Sequence, residues 1–222
     1  MASCRRYDYA LFAAIAPESL PCARQDRRQG NPEINVDSPR RWTTVSTRNV
    51  GDFRIFSIRS DVKINPRTGQ KHDFYVLDTT NWVNVIAITP DQRIVMVEQY
   101  RHGSDAVELE IPGGMMDRHE TDPVAAGLRE LREETGYVGE RPQLIGRINP
   151  NAAIMSNVCH TLLVENCRPA HAVDFDPGED LVTRLVPIAE LRNLVSSGRI
   201  QHALVAVALY HFDLWRQRSS AG

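Results

Sequence analysis

Cysteine is scarce in this chain of 222 residues: Cys4, Cys22, Cys159 and Cys167 are all there is, without CxxC spacing or the density of a disulfide scaffold. Such usage suits a reducing compartment, so a cytoplasmic location is expected. Long hydrophobic runs are missing as well. No stretch approaches the roughly 18 to 20 apolar residues that span a bilayer, so no membrane partner is expected. The apolar run at residues 9–16 follows Arg5 and Arg6, but it is short, with Asp8 beside it and Glu18 soon after. That departs from the tripartite layout of a secretory signal. An excess of charge of one sign is also lacking. The formal net charge of -2 supplies no basic field to capture a phosphate backbone, and no nucleic-acid partner is expected. There is no internal repeat and no helix-turn-helix segment. What is present is average for a globular domain, with 42% hydrophobic and 24% charged residues.

Residues 1–41 carry scattered charge, Pro, Gly and Asn with no sustained period and read as a flexible extension. Residues 42–80 hold short alternating segments at 43–48, 53–59 and 74–78, rich in Val, Ile, Phe and Tyr. Turn signals at 49–52 and at Asn65, Pro66 and Gly69 separate them, which predicts a small antiparallel sheet. The remainder, 81–217, forms the main domain. Its segments at 82–89 and 94–98 are almost continuously apolar, as strands covered on both faces are. Further strands are predicted at 106–111, 143–149, 159–164 and 181–186. Pro187 opens a helix stopped by Gly198, and 201–216 forms a last, apolar helix. Strands interleaved with a few helices predict an α+β class, a mixed α/β/α sandwich.

One helix concentrates the chemistry. Asp122 and Pro123 make an N-cap and first turn, and Gly136 makes a stop, so a helix is predicted over 123–135. At 100° per residue Val124, Leu128, Leu131 and Thr135 share a stripe expected to face the core. Glu130 and Glu134 stack one turn apart on the flank beside it, with Gly127 on the same flank and Glu133 just outside. Like charges at i and i+4 destabilise a helix by a few tenths of a kcal/mol, and an internal glycine adds roughly 1 kcal/mol. A hard divalent cation offsets that cost, since Mg²⁺ prefers carboxylate oxygen and keeps positions open for phosphates. A run such as 129–134 on its own is equally a solvated helix face. Upstream, Gly113 and Gly114 end the strand at 106–111, and 112–118 then forms a loop whose backbone can approach an ion or phosphate.

These residues resemble the Nudix hydrolases, whose pattern is Gly, five residues, Glu, seven residues, then Arg-Glu-hydrophobic-x-Glu-Glu-x-Gly-hydrophobic. Gly114, Glu120 and the run Arg129, Glu130, Leu131, Arg132, Glu133, Glu134, Thr135, Gly136, Tyr137 fill it. The departure is one extra residue, eight rather than seven between Glu120 and Arg129, placed near Thr121 before the helix. It leaves the helix carboxylates in register and puts the family role of Glu120, pairing with the motif arginine, in question. The resemblance implies Glu130 and Glu134 as principal metal ligands, Glu133 as a further or outer ligand, and the Gly113 carbonyl as a backbone ligand. Arg129 would orient the carboxylates, and the cation would be Mg²⁺, for which Mn²⁺ can substitute.

Residues 97–101, 108–112 and 197–200 extend the resemblance to the ADP-ribose and nucleoside diphosphate sugar pyrophosphatases, over about residues 42–216. It implies hydrolysis of a diphosphate linkage in a small nucleotide-linked substrate, and a homodimer formed with help from the 42–80 sheet. The acidic loop at 174–180 resembles the one that brings a catalytic glutamate over the metals, which implicates Glu179, with Asp180 its rival. Gly114 and Arg101 are implicated in substrate binding, since an arginine fork suits bidentate oxygen contacts. The proline that ADP-ribose hydrolases often carry about fifteen residues beyond the box would fall at Ala152, with Pro150 close by. His160 is expected as a packed or hydrogen-bonded core histidine. Other readings are a nucleoside triphosphate house-cleaning hydrolase, a non-catalytic ligand-sensing module and an RNA cap hydrolase; the N-terminal sheet, the intact carboxylates and the missing basic track argue against each in turn.

Overall fold

The central strand β4, Trp82–Ile88, shows why its sequence is apolar almost throughout. In the computed structural model, which describes residues 39–219, its side chains alternate between two cores. Val83, Val85 and Ala87 point to one, with Leu162, Val164, Ala126 and Leu131. Ile86 and Ile88 point to the other, with Ile94, Met96, Leu163, Val205, Leu209 and Phe212. A helix layer therefore covers each face of the sheet, as the sandwich prediction requires.

The strands are β1 (Thr43–Phe53), β2 (Phe56–Ile64), β3 (Lys71–Asp78), β4, β5 (Arg93–Arg101), β6 (Ala106–Glu110), β7 (Gly113–Met115), β8 (Tyr137–Ile148), β9 (Cys159–Pro169) and β10 (Leu181–Pro187). The helices are α1 (Pro123–Thr135), α2 (Leu191–Ser196), entered through a short 3-10 turn at Ile188–Glu190, and α3 (Ala203–Ser219). Strands β1, β2 and β3 form a three-stranded antiparallel sheet. The main sheet runs β10-β5-β4-β9-β8, with β6 paired to β5 and β7 to β4. Only the β4–β9 pair is parallel, so the sheet is mixed. Helix α1 packs on one face, and α2 and α3 on the other. Both sheets lie in one compact unit that begins at Arg41. No helix among the described residues is long and apolar enough to cross a membrane.

Three local expectations change. The turn expected at 49–52 is strand: β1 continues to Phe53, absorbs a register shift between Asn49 and Gly51, and turns at Arg54 and Ile55. Asn49 Nδ2 donates to both Asp52 carboxylate oxygens, at 3.0 and 2.9 Å, so these turn-prone side chains satisfy each other while the backbone stays paired. The loop expected at 112–118 contains β7, which hydrogen-bonds to β4. Strand β8 begins at Tyr137, immediately after α1. The extension at 1–41, together with Cys4, Cys22 and the apolar run at 9–16, falls almost wholly outside the described residues.

Helix α1 has the bounds its caps predict. The Asp122 carboxylate accepts from the Val124 N–H at 2.9 Å, and Gly136 closes the helix in the left-handed region at φ 71°. Its N–H donates to the Arg132 carbonyl, and its own carbonyl accepts from Ala170 and His171. A Cβ at this position would lie 2.2 Å from the His171 carbonyl oxygen. Gly136→Ala thus adds a backbone clash to an unfavourable φ and is predicted to cost about 1–3 kcal/mol of stability, measured by urea unfolding.

Candidate active site

The stripe that the hydrophobic period of α1 suggests packs on the core, and the buried face extends beyond it onto the flank of Gly127, Glu130 and Glu134. Val124 and Leu128 are only partly buried, while Ala126, Gly127, Glu130, Leu131, Glu134 and Thr135 are buried. The reason lies at Gly127, where a Cβ would come within 2.7 Å of Leu162 Cδ2 and 3.0 Å of Val83 Cγ2. The missing side chain lets the helix sit tightly on β4 and β9, and Gly127 serves this packing; it does not open space for an ion. The close approach carries the adjoining carboxylates down with it. Glu130 is 8% exposed and Glu134 3% exposed.

The glycine loop closes over this pair. Gly113 lies at φ 153°, and a Cβ there would stand 2.2 Å from the Val83 carbonyl oxygen. Its N–H donates to Glu134 Oε2 at 3.0 Å. A Cβ on Gly114 would lie 2.9 Å from the Glu130 carboxylate carbon and from both its oxygens. Only glycine fits at Gly113, and a side chain at Gly114 would displace the Glu130 carboxylate. Burial pushes the Glu130 carboxyl up to about 7, against the opposing pull of Arg129. Burial, reinforced by Glu130, pushes Glu134 well above the ordinary carboxylate range, against the opposing Gly113 N–H. Two acids held out of water this close together favour a cation between or above them.

Arg129 joins the motif glutamates. Its Nε meets Glu120 Oε1 at 3.0 Å, one terminal nitrogen meets Glu130 Oε1 at 3.0 Å, and the other meets Glu133 Oε2 at 2.9 Å. Hydrogen bonding to Glu120 is the largest of the causes that raise its pKa. The same bond, helped by the Asp117 N–H, holds the Glu120 carboxyl below its usual range despite partial desolvation. The extra residue before α1 therefore leaves the Glu120–Arg129 pair intact. Glu133 turns toward Arg129 and toward Arg132, at 3.0 Å.

A cavity of about 1080 Å³ is lined by Arg101, Gly113, Gly114, Arg129, Glu130, Glu134 and Glu179, among others, while Glu120 and Glu133 lie outside its lining. Half-buried Glu179 is held in its loop by the Asp176 N–H, which donates to its carboxylate at 3.1 Å. Its charge helps to raise both Glu130 and Glu134. Asp180 is exposed and lies outside the lining. Arg101 is committed to buried Glu110, with contacts of 2.7 and 2.8 Å. His160 is half-buried on β9 and, like Pro150 and Ala152, is not part of the lining. A second groove of about 760 Å³, between α2 and α3, has a mostly apolar wall and no comparable acid cluster.

Sequence reasoning missed the wall residues Arg54, Trp82, Asn84, Gln99, Arg118 and His202. Asn84 alone left a signal, as the polar break in an otherwise apolar strand. Among the described residues no three His, Cys, Asp or Glu side chains form a metal cage. The arrangement suits an ion that takes few protein ligands, because Mg²⁺ binds through one or two carboxylates and fills its remaining positions with water and phosphate oxygen.

Comparison with known proteins agrees with this geometry. The profile described as the NUDIX domain matches residues 79–205. The chain is 28% identical over 174 residues to a methanol dehydrogenase activator of Bacillus methanolicus, covering 77% of this chain and 92% of the relative. It is 29% identical over 133 residues to an ADP-ribose pyrophosphatase of Bacillus subtilis, covering 60% of this chain and 71% of the relative. A crystal structure of an ADP compounds hydrolase superposes with a TM-score of 0.73 at 20% identity, over 82% of this chain and 97% of that one, and shows the shared fold.

The buried acids make stability depend on pH. Glu130 is held at about 7 against an ordinary 4.5, so between these values the folded, cation-free chain keeps a proton that the unfolded chain has lost. Stability is then complete below the lower value and falls as pH rises through the higher one. Melting temperatures of the chain in EDTA, taken between about pH 5 and pH 8, are predicted to decline, with a shallower slope in Glu130→Gln.

Proposed function

Because the chain belongs to the Nudix family and is a pyrophosphohydrolase, we propose that it hydrolyses the diphosphate linkage of ADP-ribose or a related nucleoside diphosphate sugar, releasing a nucleoside monophosphate and a sugar phosphate. The observation that carries this reading is the buried Glu130 and Glu134 pair beneath Gly113 and Gly114, at the wall of a cavity large enough for a nucleotide.

In this reading Glu130, Glu134 and the Gly113 carbonyl would hold Mg²⁺ or Mn²⁺, with Glu133 an outer ligand, and the cation would supply Lewis-acid polarisation of phosphoryl oxygen and neutralise developing charge. Arg129 fixes the rotamers of Glu130 and Glu133 through the contacts described above. Glu179 takes the proton from the attacking water, whose oxygen bonds to phosphorus as the bridging oxygen departs with the other phosphate. The Asp176 N–H keeps that carboxylate in place. Gly114 lets substrate phosphate approach the backbone. Arg101 keeps N–H groups beyond the two spent on Glu110 and offers them to the substrate.

Two further features complete the proposal. The β1–β3 sheet exposes Val45, Val50, Phe53, Phe74 and Tyr75, which supports a role in forming a homodimer. Cys159 and Cys167 are buried free thiols, which fits a cytoplasmic location.

The test is a panel of diphosphate-linked nucleotides and nucleoside triphosphates with Mg²⁺, products followed by phosphorus NMR. ADP-ribose or a nucleoside diphosphate sugar is expected to be cleaved fastest. Preference for triphosphates would move the assignment to a house-cleaning hydrolase, and no turnover by folded protein would leave a ligand-sensing module. Glu134→Gln is predicted to lower turnover by more than the roughly 10- to 100-fold typical of losing an outer-shell group, with the fold retained by circular dichroism. Near-normal turnover in that variant refutes the ligand assignment.

A further inference from the structure

Four arginines line the cavity, Arg54, Arg101, Arg118 and Arg129. Two are already neutralised, Arg101 by Glu110 and Arg129 by Glu120, Glu130 and Glu133. The side chains of Arg54 and Arg118 are exposed, and neither makes an ion pair or hydrogen bond with the described residues. The same cavity holds Glu130, Glu134 and Glu179, whose charges already oppose one another. A diphosphate diester brings two more negative charges, and a single divalent cation does not balance them all. The wall therefore has a deficit of positive charge and two uncommitted guanidinium groups able to meet it.

Both groups stand on anchored backbone. Arg54 is in the two-residue β1–β2 turn, where Phe53 and Phe56 stack with centroids 5.1 Å apart and the Ile55 carbonyl accepts from Thr79 Oγ1 at 3.0 Å. Arg118 follows Asp117, whose N–H donates to Glu120 Oε2 at 2.7 Å and whose carbonyl accepts from the Glu120 N–H. Glu120 is itself held by Arg129. The two arginines thus come from separate elements, one from the N-terminal sheet and one from the motif loop, and line one cavity on anchored backbone, with side chains free to meet an anion.

We propose that Arg54 and Arg118 act as a pair that binds the non-bridging oxygens of the substrate diphosphate, making the β1–β2 turn a specificity element of the active site. Planar guanidinium forks suit this role because phosphate oxygens accept paired N–H bonds. The inference rests on the pyrophosphohydrolase reading and adds to it the residues that select a doubly charged linkage.

The test uses the full chain in EDTA, with inorganic pyrophosphate as the probe and calorimetry as the readout. Arg54→Gln and Arg118→Gln are each expected to weaken pyrophosphate binding by about tenfold, and the double variant by about a hundredfold, as for the loss of charge-assisted hydrogen bonds. The double variant should also show a flatter dependence of affinity on salt. Arg54→Lys with Arg118→Lys should recover part of the binding, since charge is kept and the fork is lost. With ADP-ribose and Mg²⁺, the double Gln variant should raise KM by a similar factor. Wild-type pyrophosphate affinity in a folded double variant overturns the proposal, as does failure of the wild-type chain to bind pyrophosphate. Pyrophosphate binding that needs both arginines in a chain that cleaves no nucleoside diphosphate sugar sustains the clamp and refutes the substrate assignment. Turnover indifferent to both arginines does the reverse.

Discussion

The close seating of α1 on the sheet at Gly127 governs the rest of the site. A helix that approaches β4 and β9 this tightly must bury whatever stands beside the contact, and here that is Glu130 and Glu134. Burial of two like charges is unfavourable in itself, and the surrounding structure acts to limit the cost. The Gly113 N–H answers one carboxylate and Arg129 the other. Gly113 has no room for a side chain because it lies against the Val83 and Asn84 backbone of β4, and a side chain at Gly114 would displace the Glu130 carboxylate. That helix–sheet contact accounts for Gly127, for the two displaced titrations and for the position of the cavity floor.

The arginines divide by the same electrostatic logic. Those nearest buried acids have their charge balanced by them: Glu110 pairs with Arg101, and the motif glutamates share Arg129. Arginines on exposed turns remain available for a ligand. A catalytic cavity built on acids thus obtains its free positive charge from outside the helix, at the edge of the N-terminal sheet and in the loop before α1. The proposed clamp would give the small sheet a role at the active site beside any role in assembly.

Much of this was legible before the structure. Asp122, Pro123 and Gly136 bracket α1 because capping is local, and the Glu130–Glu134 register follows from helix geometry alone. Apolar continuity in β4 and β5 marks strands covered on both faces. Turn-prone residues at 49–52 misled because their side chains bond one another within a bulged strand, an outcome composition does not distinguish from a turn. The depth of burial on the Glu130 and Glu134 flank of α1 was not legible for a related reason: periodicity weighs side chains by hydrophobicity, and a glycine that permits close packing carries no weight.

The family assignment, the α+β class, the helix bounds and the spacing of the carboxylates were determined by the sequence itself, since each depends on residue types and their order along the chain. Tertiary structure decided which flank of α1 is buried, that Glu120 still reaches Arg129 across the extra residue, and that Glu179 rather than Asp180 lines the cavity. It alone brought Arg54 to a cavity whose motif begins some sixty residues later. The physical reason is range. Caps and periodicity act along the chain, whereas burial and ion pairing depend on which distant segments the folded sheets bring into contact.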